Sequence, residues 1–357
     1  MSTLTETRLL KSIGALGITE EAWNALASES ETNSIFQTYQ WMSSWEKVFG
    51  GQCEPWYFSV ADPSGIVGVA PLMVKPGLMG DRIVRFLGDG KADYCDFLIK
   101  GEKQQVLEAI CQALFAAREQ WDIIELNNIP GESSTAALAQ AICQRAGFRV
   151  LQRDLYSSPA LLIKGHEEEA QAIFNKAGLR RRLNYFQRSG GLTYKHLTGN
   201  AVLPYLERFF DQHIARWSDS ASPSLFLNER NRAFYRELAV AMAGKGWLLL
   251  SIVELVGQPL AIHYGFDYNG KLLWYKPSFD RTHAKHSPGL VLLKGLMGYA
   301  LEHGREEFDF TIGDEPFKSR FTNRTRTTLQ LQIFRDPVRY YLALSKQALS
   351  DLKKRLL

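Results

Sequence analysis

Cysteine is scarce in this chain: four in 357 residues, Cys53, Cys95, Cys111 and Cys143, all in the first half and with no Cys-x-x-Cys pair. That pattern excludes a disulfide framework and a zinc–thiolate cluster, and it suits a reducing compartment. Charge of one sign is scarce too. Lys and Arg number 42 against 38 Asp and Glu, a net of +4, which mildly favours anionic ligands but is too weak to argue for nucleic acid. No apolar run is long enough to span a bilayer, since the most apolar segments are broken by Glu254 and Lys294. The stretch Met1 to Gly14 carries Glu6, Arg8 and Lys11 without a long apolar core, so it does not read as a secretory signal. A cytoplasmic location is expected. There is no Gly-x-Ser-x-Gly elbow, no phosphate loop ending in Gly-Lys-Ser/Thr and no Gly-x-Gly-x-x-Gly turn. Serine hydrolase, P-loop nucleotidase and dinucleotide oxidoreductase readings are therefore poor. Low-complexity segments and short repeats are absent.

What remains is an ordinary globular composition, 45% hydrophobic and 22% charged, with aromatics at 12%. The length predicts two domains rather than one core. In the first half, Phe36 to Val48 reads as an aromatic helix. Trp56 to Val60 and Ile66 to Val74 read as strands about the turn Asp62-Pro63-Ser64-Gly65. Strands at 82–87 and 95–99, a helix at 106–119, a strand at 122–126, a helix at 134–145 and a strand at 148–151 follow. The second half repeats that order. It has a helix over 167–188, a strand at 192–197, helices at 203–217 and 231–243, and then a meander over 247–256, 260–268 and 271–276. Asn269-Gly270 marks the second turn, because both residues tolerate positive φ. A helix over 288–303 and a strand over 307–311 close the unit.

The expected class is α+β with a mixed sheet. The boundary is expected where Ser157-Ser158-Pro159 and Gly165 interrupt the pattern, giving domains 1–160 and 161–335 and a helical tail 336–357. The tail sets Leu342, Leu344, Leu349 and Leu352 beside lysines, which allows a peripheral contact with an anionic membrane surface or docking on its own domain.

An antiparallel meander followed by a helix and a strand leaves the helix start facing a groove. There its free amides and positive dipole end can hold an anionic donor. His286-Ser287-Pro288-Gly289-Leu290 occupies that junction. Ser287 reads as N-cap, Pro288 as first helical residue and Gly289 as the point of close approach. The plain alternative is a well-capped core helix. Downstream, Asp314, Glu315 and Lys318 surround a tight glycine turn. Either acid could deprotonate an acceptor and Lys318 could steady negative charge, or the three could form a solvated surface turn. Tyr275 and His263 lie on adjacent meander strands, Tyr275 as a proton donor to a departing thiolate and His263 as a base beside the substrate. Either could equally be a packed strand residue. His283 and His286 form no complete ligand set, so no metal is expected. Arg180-Arg181-Arg182 and Arg188 end a helix, where they either bind phosphate or complement the dipole.

The run Phe308-Asp309-Phe310-Thr311-Ile312-Gly313-Asp314-Glu315-Pro316-Phe317-Lys318-Ser319-Arg320-Phe321 resembles the signature of the CelD-like GNAT acetyltransferases. That group is associated with cellulose and exopolysaccharide biosynthesis and is similar to the FemABX peptidyltransferases. Asp309, Gly313, Glu315, Phe317, Lys318 and Phe321 match the pattern, with Phe317 in place of the commoner tyrosine. Phe36 to Trp45, Arg180-Arg181-Arg182-Leu183 and His286 to Leu290 also fit. The acyl-CoA loop of the superfamily, with Arg or Gln before two spaced glycines, is matched only at Gly289.

The resemblance implies tandem GNAT-like domains and an acyltransferase that moves an acyl group, in the first place acetyl, from acyl-CoA to an amine or hydroxyl of a sugar, polysaccharide precursor or small metabolite. Acetyl-CoA would be a co-substrate and not a tightly bound cofactor. His286, Ser287, Gly289 and Leu290 would face the donor. Asp314, Glu315, Lys318 and Tyr275 would serve catalysis, and Asp309, Arg181 and His263 would bind substrate. Two alternatives stay open: an aminoacyl-tRNA donor, and a non-catalytic partner in polysaccharide assembly.

Overall fold

The computed structural model describes residues 4–77 and 80–356, with side chains described through residue 349. In chain order the elements are β1 (Glu6–Leu10), α1 (Glu20–Glu29), α2 (Tyr39–Phe49), β2 (Glu54–Asp62), β3 (Gly65–Pro76), β4 (Arg82–Phe86) and β5 (Leu98–Ile99). Then come α3 (Lys103–Ala116), β6 (Ile123–Pro130), α4 (Thr135–Arg145), β7 (Arg149–Leu162), α5 (Glu167–Phe174), α6 (Ala177–Arg188) and β8 (Leu192–Leu197). They are followed by α7 (Leu206–Arg216), α8 (Glu229–Met242), β9 (Leu248–Leu255), β10 (Gln258–Tyr268), β11 (Lys271–Phe279) and α9 (Pro288–Glu302). The last are β12 (Glu307–Asp309), β13 (Arg324–Phe334) and α10 (Pro337–Leu356).

Two compact units result, one formed by residues 1–156 with 327–357 and the other by residues 157–326. Within the first, the strands run β1-β2-β3-β4-β6-β13, antiparallel except for the parallel pair β4 and β6. Within the second they run β8-β9-β10-β11-β12-β7, again with a single parallel pair, β11 and β12. Each unit therefore threads strand, two helices, three-stranded meander, helix and parallel strand in the same order. This is the GNAT-like α+β order expected from the sequence.

Three local readings change. Ser157-Ser158-Pro159 does not interrupt the chain but lies inside β7, with Ser158 and Pro159 buried. The helix expected over 167–188 is two, α5 and α6, broken at Asn175-Lys176. Residues 327–335, expected in the second domain, group with the first unit because β13 pairs antiparallel with β6 from Thr328–Pro130 to Phe334–Ile123.

The core of the second unit explains the placement of α9. Val291, Leu292, Leu293, Leu296, Met297 and Ala300 are all buried against Leu249, Val253, Ala261, Leu272 and Trp274 of the meander. Each large apolar side chain so buried stabilises by about 2 kcal/mol. Gly295 makes the approach possible, since a Cβ there would stand 2.2 Å from the Tyr194 ring. The hairpin joining β10 to β11 has Asn269 at φ 50 and Gly270 at φ 72, the paired positive φ of the primed turns.

Candidate functional site

The meander opens at a β-bulge. Tyr264 pairs with Lys276 and Phe266 with Leu273, so Gly265 of β10 faces two residues of β11, Trp274 and Tyr275. The Tyr275 N–H donates to His263 Nε2 at 3.0 Å. The ring reaches it across Gly265, where a Cβ would lie 1.9 Å from His263 Cε1. Beyond the bulge β11 leaves β12, whose pairing ends at Leu273–Asp309. Residues Tyr275 to Phe279 thus line a splay, and the signature turn after β12 fills its other side.

That turn is held from within. Asp309 Oδ1 accepts the Thr311 N–H at 2.7 Å, supporting a β-branched residue at φ 55, a conformation that needs such support. Thr311 Oγ1 donates to the Trp274 carbonyl at 3.2 Å, tying the turn to β11. Gly313 sits at φ 132, beyond easy reach of other residues, and hugs Glu315 and Lys318. The Lys318 ammonium is buried, donating to Ile312 O at 3.0 Å and pairing with Glu315 at 2.8 Å. The Glu315 side chain is 56% exposed, and Asp314 is exposed as well. The geometry therefore brings Glu315 and Lys318 together and leaves Asp314 without a partner among the described residues.

Three expected roles do not fit the geometry. Asp309 is buried with Thr311 N–H and the Arg326 guanidinium, 3.6 Å away, as partners, so it shapes the turn and faces no substrate. His263 is wholly buried and stacked on Trp274 with centroids 5.0 Å apart. Its accepting Nε2 is occupied, so it cannot act as a base beside a ligand. Tyr275 faces the opposite side of the sheet, where its buried hydroxyl meets that of Tyr235 on α8 at 3.0 Å. Its backbone amide, being held by His263, is not available to stabilise an oxyanion.

At the donor end, Ser287 is not the expected side-chain cap. It adopts φ 57, ψ 58 and its hydroxyl makes no capping bond; instead its carbonyl accepts the Leu290 N–H at 3.0 Å. Pro288 is the first helical residue, as the sequence suggests. The half-buried Gly289 lies against Phe279, whose Cδ1 would be 3.5 Å from a Cβ on that glycine. His286 is exposed and stacked on Tyr185 of α6, centroids 3.8 Å apart at 15°. The same face of α6 carries Arg181 and Arg188 along a cleft of about 680 Å³. Neither arginine, nor Arg180, has an acidic partner among the described residues; Arg182 is spent on Gly178 O at 2.9 Å.

Sequence reasoning passes over Arg216, Phe279, Tyr185 and Tyr235. Arg216 closes α7 and reads as a dipole-complementing cation, and only the fold carries it over Phe279, with its Cζ 4.4 Å from the ring centroid. Burial is the main reason its pKa is lowered to about 10, against the opposing field of Glu315. Phe279 thus has Gly289 at one edge and Arg216, within the field of Glu315, at the other. Among the described residues no cluster of His, Cys, Asp or Glu is arranged to hold a metal, and no helix is long and apolar enough to cross a membrane.

Two histidines of this region give a test of the electrostatics. Burial, and then the charge of His196, pushes His263 down to about 3. Burial, followed by Arg216 and Lys276, does the same to His213. Both are neutral in the fold at pH 7 and titrate near the ordinary value of about 6.5 when unfolded. The unfolded chain therefore binds protons that the fold refuses. This contribution is complete above about pH 6.5 and is lost as pH falls toward 3. At pH 5 each ring should cost about 2 kcal/mol. Urea midpoints are expected to fall between pH 7 and pH 5, and to fall less in His213→Asn, which keeps a polar partner for Ser224. An unaltered slope in that variant would contradict the assignment.

Comparison with known proteins bears on the fold and on the domain. Residues 175–319 match the acetyltransferase (GNAT) domain family. No curated protein matches significantly. Among solved structures, FemX is similar with a TM-score of 0.66 at 13% identity, covering 94% of this chain and 99% of FemX. L-PGS from Bacillus licheniformis has a TM-score of 0.57 at 14% identity, over 89% of this chain and 92% of that one. A tandem GNAT protein from the clavulanic acid biosynthesis pathway has a TM-score of 0.50 at 12% identity, over 91% and 98%. At such identities the likeness is one of fold, and the chemistry comes from the matched domain. The chain has a GNAT-like fold, its second unit carries the acetyltransferase (GNAT) domain, and it is an acyltransferase of that type.

Proposed function

We propose that the second unit transfers an acyl group, in the first place acetyl, from acyl-CoA to an amine or hydroxyl of a sugar, a polysaccharide precursor or a small metabolite. The carrying observation is the splay between β11 and β12, with the start of α9 at one end and the buried Lys318 ammonium with Glu315 at the other. The donor pyrophosphate sits at His286 to Leu290, where the amides opening α9 and its dipole favour an anion, and Arg181 adds a cation nearby. The acceptor nitrogen or oxygen attacks the thioester carbonyl. A C–N or C–O bond forms, the C–S bond breaks, and the acceptor's proton ends on the departing thiolate. Lys318 steadies the developing negative oxygen while Glu315 orients the acceptor. The resemblance of the turn to the CelD-like group supports a saccharide acceptor, and the exposed Val338, Tyr341, Leu342 and Leu349 of α10 support peripheral contact with a membrane surface.

Calorimetric titration with acetyl-CoA tests this. Saturable binding is expected, together with its loss in Gly289→Trp, whose indole would have to displace Phe279. Absence of binding at millimolar acetyl-CoA by the unmodified chain would sink the reading. One observation favours a second donor: Arg180, Arg181 and Arg188 lie on α6 without acidic partners among the described residues, beside the exposed Tyr185–His286 stack. An aminoacyl-tRNA donor would show as tRNA retardation that weakens steeply with salt and with loss of those arginines.

A further inference from the structure

The half-buried Arg216 guanidinium lies against the end of β11 without a carboxylate partner among the described residues. Its Nη1 donates to the Pro277 carbonyl of β11. One side faces the Phe279 ring, and the Trp217 indole lies with its centroid 5.0 Å from Cζ. Among the described residues no carboxylate lies within ion-pairing distance of it, and its Nε and Nη2 have no acceptor. The acid that reaches it electrostatically is Glu315, but that carboxylate is already engaged by Lys318 at 2.8 Å. On the neighbouring Trp217 ring the Nε1–H is buried and has no acceptor among the described residues. His213, stacked on Trp217, cannot supply one, because its Nδ1 is 2.8 Å from Ser224 Oγ. The cation is half-buried with its free fork reached by water, and a ligand that supplies oxygens to the fork replaces that water with a charge-assisted pair. The guanidinium edge, flanked by aromatic surfaces, fits two coplanar oxygens. That fork takes two oxygens of a carboxylate or of a phosphate; a lone cation suits the singly charged carboxylate, whereas a phosphate finds more cations along α6.

We propose that Arg216, with the Trp217 indole N–H beside it, binds a carboxylate of the acyl acceptor and so selects acceptors that carry one. This rests on the transferase reading for the word acceptor, while the anion seat itself is tested without any reaction. The chain is titrated with acetate, acetamide and inorganic phosphate while the Trp217 Nε1–H and Arg216 Nε–H signals are followed by NMR, and acetyl-CoA binding is measured on the same sample. Acetate should shift both signals saturably and acetamide should not. Arg216→Gln should weaken acetate by roughly tenfold or more, the loss of a charge-assisted pair. Arg216→Lys, which keeps the charge but not the fork, should lose less, and its intact fold guards against a trivial failure of the glutamine variant. Equal shifts from acetamide, tighter binding of phosphate than of acetate, or unchanged acetate binding in Arg216→Gln would each overturn the proposal. Acetate binding without acetyl-CoA binding would uphold the seat and sink the transferase reading. Acetyl-CoA binding without acetate binding would do the reverse.

Discussion

Gly265→Ala is expected to destabilise the second unit by about 3 kcal/mol or more, because no free volume exists for one methyl group. Its Cβ would lie 1.9 Å from His263 Cε1 and 2.5 Å from the Leu273 carbonyl oxygen. The carbonyl belongs to a paired strand and cannot retreat. The imidazole is stacked on Trp274 at an interplanar angle of 15° and can move only by releasing the Tyr275 amide. An orphaned buried N–H adds about 1–3 kcal/mol. Urea unfolding measures the effect, and Gly244→Ala, with nothing within 4 Å of its Cβ, serves as a near-neutral control. In the double variant with His263→Ala the ring clash disappears while the carbonyl contact stays, so partial rescue of about 1 kcal/mol or more is expected. A loss under about 1 kcal/mol in the single variant would mean that the ring does not sit across the bulge.

Lys318→Met should lower acyl transfer by about 10²–10³-fold, the usual effect of removing one preorganised group that faces developing charge. Acetyl-CoA affinity should stay within about twofold, since an interaction made only in the transition state does not hold the ground state. Thiol release from acetyl-CoA with a panel of amines gives the rate and calorimetry gives the affinity. Methionine fills the lysine stem's volume, and the carboxylate left behind, Glu315, is 56% exposed and can be hydrated rather than stranded as a buried charge. The fold should therefore survive, although the Ile312 carbonyl loses its donor. Glu315→Gln should cost less, because its exposed carboxylate is screened by water. Equal losses in rate and affinity would move Lys318 to the donor seat. An unchanged rate would favour the non-catalytic reading of the chain.

Periodicity and turn chemistry made most elements legible. Asn269-Gly270 located the hairpin, the apolar run after Pro288 located α9, and the order of meander, helix and strand indicated the fold class before any coordinates. The aromatic, Gly and Lys pattern of residues 308–321 located the turn as well. What one-dimensional pattern could not convey is which way a strand residue faces and what crosses behind it. His263 and Tyr275 looked like neighbours on adjacent strands, yet their side chains occupy opposite faces and meet only through a backbone amide at a bulge. Ser287 had the identity of an N-cap but not its backbone conformation. Arg216 was invisible because its role depends on Phe279, more than sixty positions along the chain, coming to lie against it.

The return of β13 to β6 has a consequence for synthesis on the ribosome. The polypeptide leaves the first unit after Tyr156, builds the whole second unit, and comes back at Thr327. The later-made half can thus finish folding while the earlier one still waits for its closing segment. During that wait β6 offers an open row of amides and carbonyls on the side where β13 will pair, the kind of edge that recruits foreign strands. Released fragments that end before Thr327 should accordingly be held by chaperones or aggregate, whereas fragments that end past Phe334 should not.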